Sequence, residues 1–425
     1  MININKQLLN KIQSLGFKEP TLVQEKTFGL FSEGKSGIIL SPTGTGKTHA
    51  YLIPLIERIE LTKDEVQAVI IVPTNELVMQ VNYMLKNMDS GLTSKAITTK
   101  DDRNKTIQSL SKRQPQIVIS TPGRLLDMVV KENVLKTHTA KFLVLDEADM
   151  LFDYDFISQM DPVTSKIKGS VYVFSATMPK NVVSWINKYF GSSELLDLSD
   201  SVKLNIEHAL IMGSGDTELK FFKLLKTINP YLCFIFVSKN ENIDPLFDKM
   251  MVEGYNVVRL TSKIPIRQRK NIIDAINSLK YQYVVCSDIA SRGLDFEGIS
   301  HIINYDLPYK TEFYIHRSGR TGRMGKEGIV YTFYEDKYSR KLSAIQNLGI
   351  EFIKYTIKGD KLIEQEKKIK TLSQQEVQAI RKIKKPSRVK PNYKKKNKQQ
   401  VKKALTDVRT KKMLTEMRKN KGVKQ

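Results

Sequence analysis

GIILSPTGTGKTHAYLIPL, residues 37–55, decides the fold. Gly37 to Leu40 has the length and apolarity of a buried strand. SPTGTGKT (residues 41–48) is a glycine-rich loop, and HAYLIPLIERI after it has helical composition. Strand, loop and helix joined through Gly-Lys-Thr make a P-loop. In Thr43-Gly44-Thr45-Gly46 the two glycines let backbone N–H groups converge on phosphate oxygens. Lys47 then sets a charge between the β- and γ-phosphates, and Thr48 offers a hydroxyl to Mg²⁺. The general pattern begins with Gly, and Ser41 stands in that place here.

Outward from this loop the chain repeats one theme. Short apolar, β-rich runs sit at residues 66–72, 116–120, 142–145 and 171–174, and again at 232–237, 256–260, 283–286, 301–304 and 329–333, separated by stretches of helix length. Continuous apolar strands alternating with helices read as parallel sheet covered on both faces, so the fold class is α/β, built twice. The run at 142–145 ends in Asp146-Glu147-Ala148-Asp149. In a P-loop fold the first acid there holds Mg²⁺, often through water, and the second orients or deprotonates the attacking water. The run at 171–174 ends in Ser175-Ala176-Thr177. Ligand chemistry in α/β sheets gathers at the carboxyl ends of strands, so these three strand ends share an edge.

The second half supplies arginines. The chain holds 16 Arg against 53 Lys, and four of the 16 fall between Arg292 and Arg323. Three lie in HRSGRTGR (residues 316–323), where glycines suit a turn from which guanidinium groups reach outward. Such a segment suits arginine fingers that complete an ATP site from a second domain.

The charge is uneven. Residues 361–425 carry 23 basic and 5 acidic residues, +18 of the total +24, and residues 1–360 only +6. A nearly neutral body with a basic tail points to a polyanionic partner, nucleic acid first and an anionic membrane surface second. No apolar run approaches the length of a membrane span. The first residues lack the pattern of a signal peptide. Cys233 and Cys286 sit inside apolar runs and read as reduced core residues. Five scattered histidines lack zinc-ligand spacing. From residue 384 the chain is Lys-, Asn- and Gln-rich and cannot bury enough apolar surface to offset ordering, so disorder is expected there.

The ordered set GFKEPTLVQ (16–24), SPTGTGKT (41–48), PTNEL (73–77), TPGR (121–124), DEAD (146–149), SAT (175–177), FIFVS (234–238), SDIASRGLD (287–295) and HRSGRTGR (316–323) resembles the DEAD-box ATP-dependent RNA helicases. TGTGKTHAYLIPL and the basic tail are most similar to the bacterial, cold-shock-associated branch. The resemblance implies two tandem RecA-like domains: residues 1–197, a linker at 198–207, residues 208–360, and a basic, largely disordered extension at 361–425. It implies ATP and Mg²⁺ as cofactors, with Phe17 stacked on adenine, Gln24 reading its edge and Asp295 on the ribose. Lys47, Asp146, Glu147, Arg320 and Arg323 are the implied catalytic groups, with Thr48 and Asp146 on the metal. Asp149, Ser175, Thr177 and His316 are implied to couple hydrolysis to duplex opening. Pro73, Thr74, Thr121, Gly123, Arg124, Ser287 and Arg292 are implied to hold the RNA backbone.

Three departures from the family pattern stand out. Asn75 replaces a usual Arg, AITTKDDRN (residues 96–104) lacks a usual Gly-Gly pair, and an aromatic residue usual well upstream of Gln24 has no counterpart. The expected partner is RNA bound without regard to sequence. Proteins of ribosome assembly or RNA decay are further partners the resemblance admits, and a cytoplasmic monomer without a membrane role is expected. Two other readings stay open on the residues alone: a DNA-directed helicase with the same motor, and a basic RNA annealer with weak motor activity.

Overall fold

The computed structural model describes residues 4–365 apart from 18, 43, 153–155, 179–180, 201–203, 214, 262–263, 289–295, 297 and 324–325, together with 400, 403–404, 406–408 and 410. The chain divides into two compact units, Met1–Gln365 and Glu366–Gln425. In the second unit the described residues are helical. The disorder expected from residue 384 onward falls almost wholly outside the described residues.

The first unit contains two sheets. One is formed by β1 (Gly37–Leu40), β2 (Ala68–Ile71), β3 (Ser94–Ile97), β4 (Ile117–Ser120), β5 (Phe142–Leu145), β6 (Ser170–Ser175) and β7 (Glu194–Asp197). Its order is β3-β4-β2-β5-β6-β1-β7, with parallel neighbours throughout. The other is formed by β8 (Ile206–Met212), β9 (Cys233–Phe236), β10 (Val257–Leu260), β11 (Tyr283–Cys286), β12 (His301–Asn304), β13 (Gly328–Phe333), β14 (Ile353–Lys358) and β15 (Lys361–Glu364). Its order is β10-β11-β9-β12-β13-β8-β14-β15, and only the last pair is antiparallel.

The apolar runs become strands because both of their faces are covered. Ile38 and Leu40 join one core with Val69, Val118 and Leu143, while Ile39 joins another with Ile70, Ile119 and Val144. The second sheet divides in the same way, Phe234 and Val284 on one face, Ile235 and Val285 on the other. Cys286 and Cys233 fall on opposite faces, buried and not joined in a disulfide, as the reading of core thiols expects.

All ten expected strands are present, and five more were not anticipated. β3 (SKAI) and β7 (ELLD) are the edges of the first sheet, where cover is partial and charged side chains interrupt the apolar signal. β8 opens at Ile206, which pairs with Gly328, so residues 206 and 207 belong to the second sheet and not to the linker. The boundary set at 360 also needs correction. Lys358 pairs with Lys361 across a Gly359-Asp360 turn, and Thr356 pairs with Ile363. Residues 361–364, expected to belong to the basic, largely disordered extension, are a strand. Gly-Asp between two alternating stretches is a hairpin signal, and Gly359 takes the left-handed φ of 56° that such a turn uses. Among the described residues no helix is long and apolar enough to cross a membrane.

Candidate functional site

β5, β6 and β1 are neighbours, so the P-loop, DEAD and SAT segments do emerge side by side. Lys47 opens the helix Lys47–Arg58, is buried, and donates from Nζ to the Ser41 carbonyl at 2.9 Å. The departure at Ser41 has a structural role. Its hydroxyl shares a 2.6 Å hydrogen bond with Thr45, and the Thr45 hydroxyl reaches the Pro42 carbonyl at 2.9 Å, tying the loop across itself. Gly44 and Gly46 adopt φ of 80° and 92°, conformations that favour glycine. A Cβ on Gly46 would lie 2.8 Å from Gln24 Nε2, so Gln24 rests against the loop while its Oε1 accepts from the Thr21 N–H. Phe17 stays half-exposed, its ring 4.7 Å from that of His49. Thr48 is half-buried in the first turn of the helix. Thr43 lies outside the described residues.

Asp146 is buried at the end of β5. Its carboxylate accepts from Tyr51 Oη and from the Glu147 N–H, each at 2.9 Å. Burial first, and the neighbouring Glu147 second, push its pKa up to about 6 against the pull of Lys47. Glu147 holds a left-handed backbone, φ 52°, unusual for a residue with a Cβ and a form of strain that gathers at functional sites. Its Oε2 is buried without a hydrogen-bond partner. Asp149 accepts at Oδ2 from Thr177 Oγ1 (3.0 Å) and N (3.3 Å), and its own N–H donates to Ser175 Oγ (3.1 Å). Ser175 and Thr177 therefore hold Asp149 from within the first sheet.

The crossing to the second sheet is made by His316. Its Nε2 lies 3.2 Å from Asp149 Oδ2 and its Nδ1 3.7 Å from Glu147 Oε2. Burial opposes a charge on this imidazole, but Asp149 and then Glu147 outweigh it, and the pKa is raised. Burial likewise opposes ionisation of Asp149, yet His316 brings it down to about 2. These three side chains could also be arranged around a cation. Asp149 and His316 already lie at ion-pair distance across the two sheets, so the group is better described as a contact between them.

Arg323 comes from the second sheet to the P-loop. A Cβ on Gly44 would meet its Nε at 3.2 Å and its Cδ at 3.3 Å, while Nε donates to the Gly319 carbonyl at 2.8 Å. Arg320 lies half-buried in the same turn. Arg317, the third arginine of the segment, points inward. It binds both Asp288 oxygens, Asn304 Oδ1, the Asp306 carbonyl and Ser238 Oγ. Asp295 lies outside the described residues.

The other half of the same edge, β3-β4-β2, carries the remaining first-domain residues. Pro73 and Thr74 follow β2, and Thr74 Oγ1 caps the helix Asn75–Asn87 by accepting from the Leu77 N–H. Thr121 and Gly123 flank Pro122 at the start of the helix after β4. Arg124 donates to the Thr98 carbonyl at 2.9 Å and to Asp127 at 3.2 Å. Two of the departures touch each other: Asn75 Nδ2 donates to Thr99 Oγ1 at 2.6 Å, and the Thr99 N–H returns a bond to Asn75 Oδ1 at 3.0 Å. Next to Asn75, Glu76 receives Arg269 from the second sheet at 2.7 Å. Ser287 is buried just after β11, and Arg292 lies outside the described residues.

Sequence reasoning passed over Tyr51, Arg317 and Thr99. Tyr51 had a usable signal: it lies three residues after Thr48 on one helix, so it faces the same way. The partners of Arg317 and Thr99 come from distant strands, and no local spacing announces them.

Comparisons with known proteins agree with this geometry. A model of the family described as DEAD/DEAH box helicase matches residues 21–185, and one described as helicase conserved C-terminal domain matches residues 219–325. The chain is 35% identical over 407 residues to the DEAD-box ATP-dependent RNA helicase CshB of Bacillus cereus, covering 92% of this chain and 93% of that protein. It is 36% identical over 405 residues to CshB of Bacillus subtilis, covering 92% of each. Among solved structures it is similar to S. cerevisiae Dbp5 bound to RNA and ADP BeF3, with a TM-score of 0.71, 25% identity, and coverage of 95% of this chain and 98% of that one. A P-loop and DEAD edge on one sheet, met by Arg323 from a second, and relatives spanning nearly its full length, make this chain a member of the DEAD-box family of ATP-dependent RNA helicases.

Proposed function

We propose that this chain closes its two sheets around single-stranded RNA when ATP is bound, and that hydrolysis and phosphate release reopen the cleft. Holding one strand bent locally separates short duplexes or remodels RNA–protein complexes. The observation that carries this reading is the contact of Arg323 with Gly44, which brings a guanidinium of one sheet onto the phosphate loop of the other. Phe17 and Gln24 take the adenine, Asp295 the ribose, and Thr43 to Thr48 the phosphates. Glu147 positions the attacking water and takes its proton. Arg320 and Arg323 meet the charge that develops on the γ-phosphate. Asp146 and Thr48 would supply the hard oxygen donors that magnesium takes, and the ion would neutralise phosphate charge there. Pro73, Thr74, Thr121, Gly123, Arg124, Ser287 and Arg292 follow the backbone of the RNA, so binding is independent of sequence. The reading includes action as a monomer in the cytoplasm. The test is ATP turnover with and without single-stranded RNA, compared with DNA of the same sequence; RNA should stimulate strongly and DNA weakly.

The His316–Asp149 contact gives closure a pH dependence. The raised pKa of His316 means the pair is complete below its ordinary value of 6.5 and is lost as pH rises through the raised one. The lowered pKa of Asp149 sets the other limit, with loss as pH falls towards about 2. RNA-stimulated turnover should therefore decline on the alkaline side, and His316→Gln should remove that limb. An alkaline limb of the same shape in the variant counts against the assignment.

The tail is read as an RNA anchor, on its charge: residues 377–425 carry 19 basic and 2 acidic residues. Deleting residues 384–425 should raise the RNA concentration for half-maximal turnover and flatten its salt dependence, since each phosphate neutralised on a single strand contributes a log–log slope of about −0.7. The maximal rate should change little. Unchanged half-saturation and slope would leave the tail a solubilising extension.

A further inference from the structure

Asn75 and Thr99 bond each other at the end of β3, and the turn they share brings a cation with it. The turn is rigid. Asp101 Oδ2 accepts from the Thr98 N–H (2.6 Å) and hydroxyl (2.8 Å), and the Lys100 N–H donates to Thr98 Oγ1 at 3.3 Å. Arg124 is rooted in the same turn through the Thr98 carbonyl. Lys100 therefore stands on a fixed backbone at the edge that also carries Thr74, Thr121 and Arg124.

The cations of this edge differ in how far they are committed. Arg124 binds Asp127 and two carbonyls, and its side chain is 14% exposed. Arg103 binds Asp127 through two nitrogens and Glu132 besides. Arg269 is buried against Glu76. Lys100 is 41% exposed, with one ion pair, 3.4 Å from Glu76 Oε1. That oxygen is the one Arg269 takes at 2.7 Å. Glu76 Oε1 is thus shared by both cations; the buried Arg269 guanidinium holds it more closely, and the exposed Lys100 ammonium is the less committed of the two. A flexible stem with a compact point charge is suited to following a phosphate.

We infer that Lys100 is a contact to an RNA phosphate, and that it restores on the first sheet the cation missing at position 75. The inference rests on the reading of this edge as the RNA face.

The test is titration of the full-length protein with a short oligouridylate at several salt concentrations, with RNA-stimulated turnover as the signal. Lys100→Gln should raise the half-saturating RNA concentration about fivefold, the size of one exposed charge contact. It should also reduce the salt slope by about 0.7, the loss of one phosphate contact. Lys100→Arg should restore both. Weaker RNA binding with an unchanged slope overturns the inference, because Lys100 then acts through the shape of the turn. No change in either quantity overturns it as well. Arg124→Ala is run in parallel. If it too leaves half-saturation unmoved, the RNA face has been placed on the wrong edge; if it alone weakens binding, only the role of Lys100 fails. Thermal unfolding of each variant without RNA separates these outcomes from a loss of fold.

Discussion

Arg323→Ala should lower ATP turnover by about 10³–10⁵-fold, the contribution of arginine fingers in phosphoryl transfer. The stem of Arg323 lies on Gly44, and its Nε is steered by the Gly319 carbonyl at 2.8 Å, so the guanidinium is aimed at the phosphate loop before any chemistry occurs. Because Arg323 belongs to the second sheet, it adds little to ATP affinity while the sheets are apart. The loss should therefore fall on the rate at saturating ATP. Arg323→Lys should recover only a small part of it, since an ammonium lacks the planar fork. Single-turnover hydrolysis and equilibrium ATP binding measured on the same variants decide the matter. A large rise in KM with an intact maximal rate would make Arg323 a binding residue instead.

Glu147→Gln should slow hydrolysis by about 10²–10⁴-fold, the range for loss of a general base. The amide keeps the size of the carboxylate, so the left-handed turn at 147 and the bond from its N–H to Asp146 are retained. ATP and RNA should still bind, and the closed complex should persist because the step that reopens it is blocked. RNA release after a chase with unlabelled competitor should become slow in the presence of ATP and stay fast with ADP. Turnover at the native rate would show that another group takes the proton.

The parts of the fold that were legible in advance are those where burial leaves a plain chemical trace. β1, β2, β4 and β5 are covered on both faces, so their runs are apolar with little interruption and their ends could be read as site positions. β3 and β7 at the sheet edges mix charge with apolar residues. The β14–β15 hairpin was hidden by a charged composition that also suits a helix. At the site, residues within one local motif were readable, as Lys47, Asp146 and Asp149 were. Contacts made across the fold were not. Arg317 sits in the same eight residues as Arg320 and Arg323, yet it is buried on Asp288, and that distinction exists only once β9, β11 and β12 are adjacent.

The order of the first sheet has a consequence for how the two ligands influence each other. Its edge is shared: β5, β6 and β1 carry the residues assigned to the nucleotide, while β3, β4 and β2 carry those assigned to RNA. β2 and β5 are bonded along their whole length, and the Asp146 N–H donates to the Ile71 carbonyl beyond the last ladder pair. The two halves thus form one continuous ladder, and under the proposed closure the influence of one ligand on the other would run through the approach of the second sheet. Coupling of that kind is reciprocal. An RNA that tightens ATP tenfold, about 1.4 kcal/mol, is itself held tenfold tighter by ATP, and a substitution that weakens one direction weakens the other by the same factor.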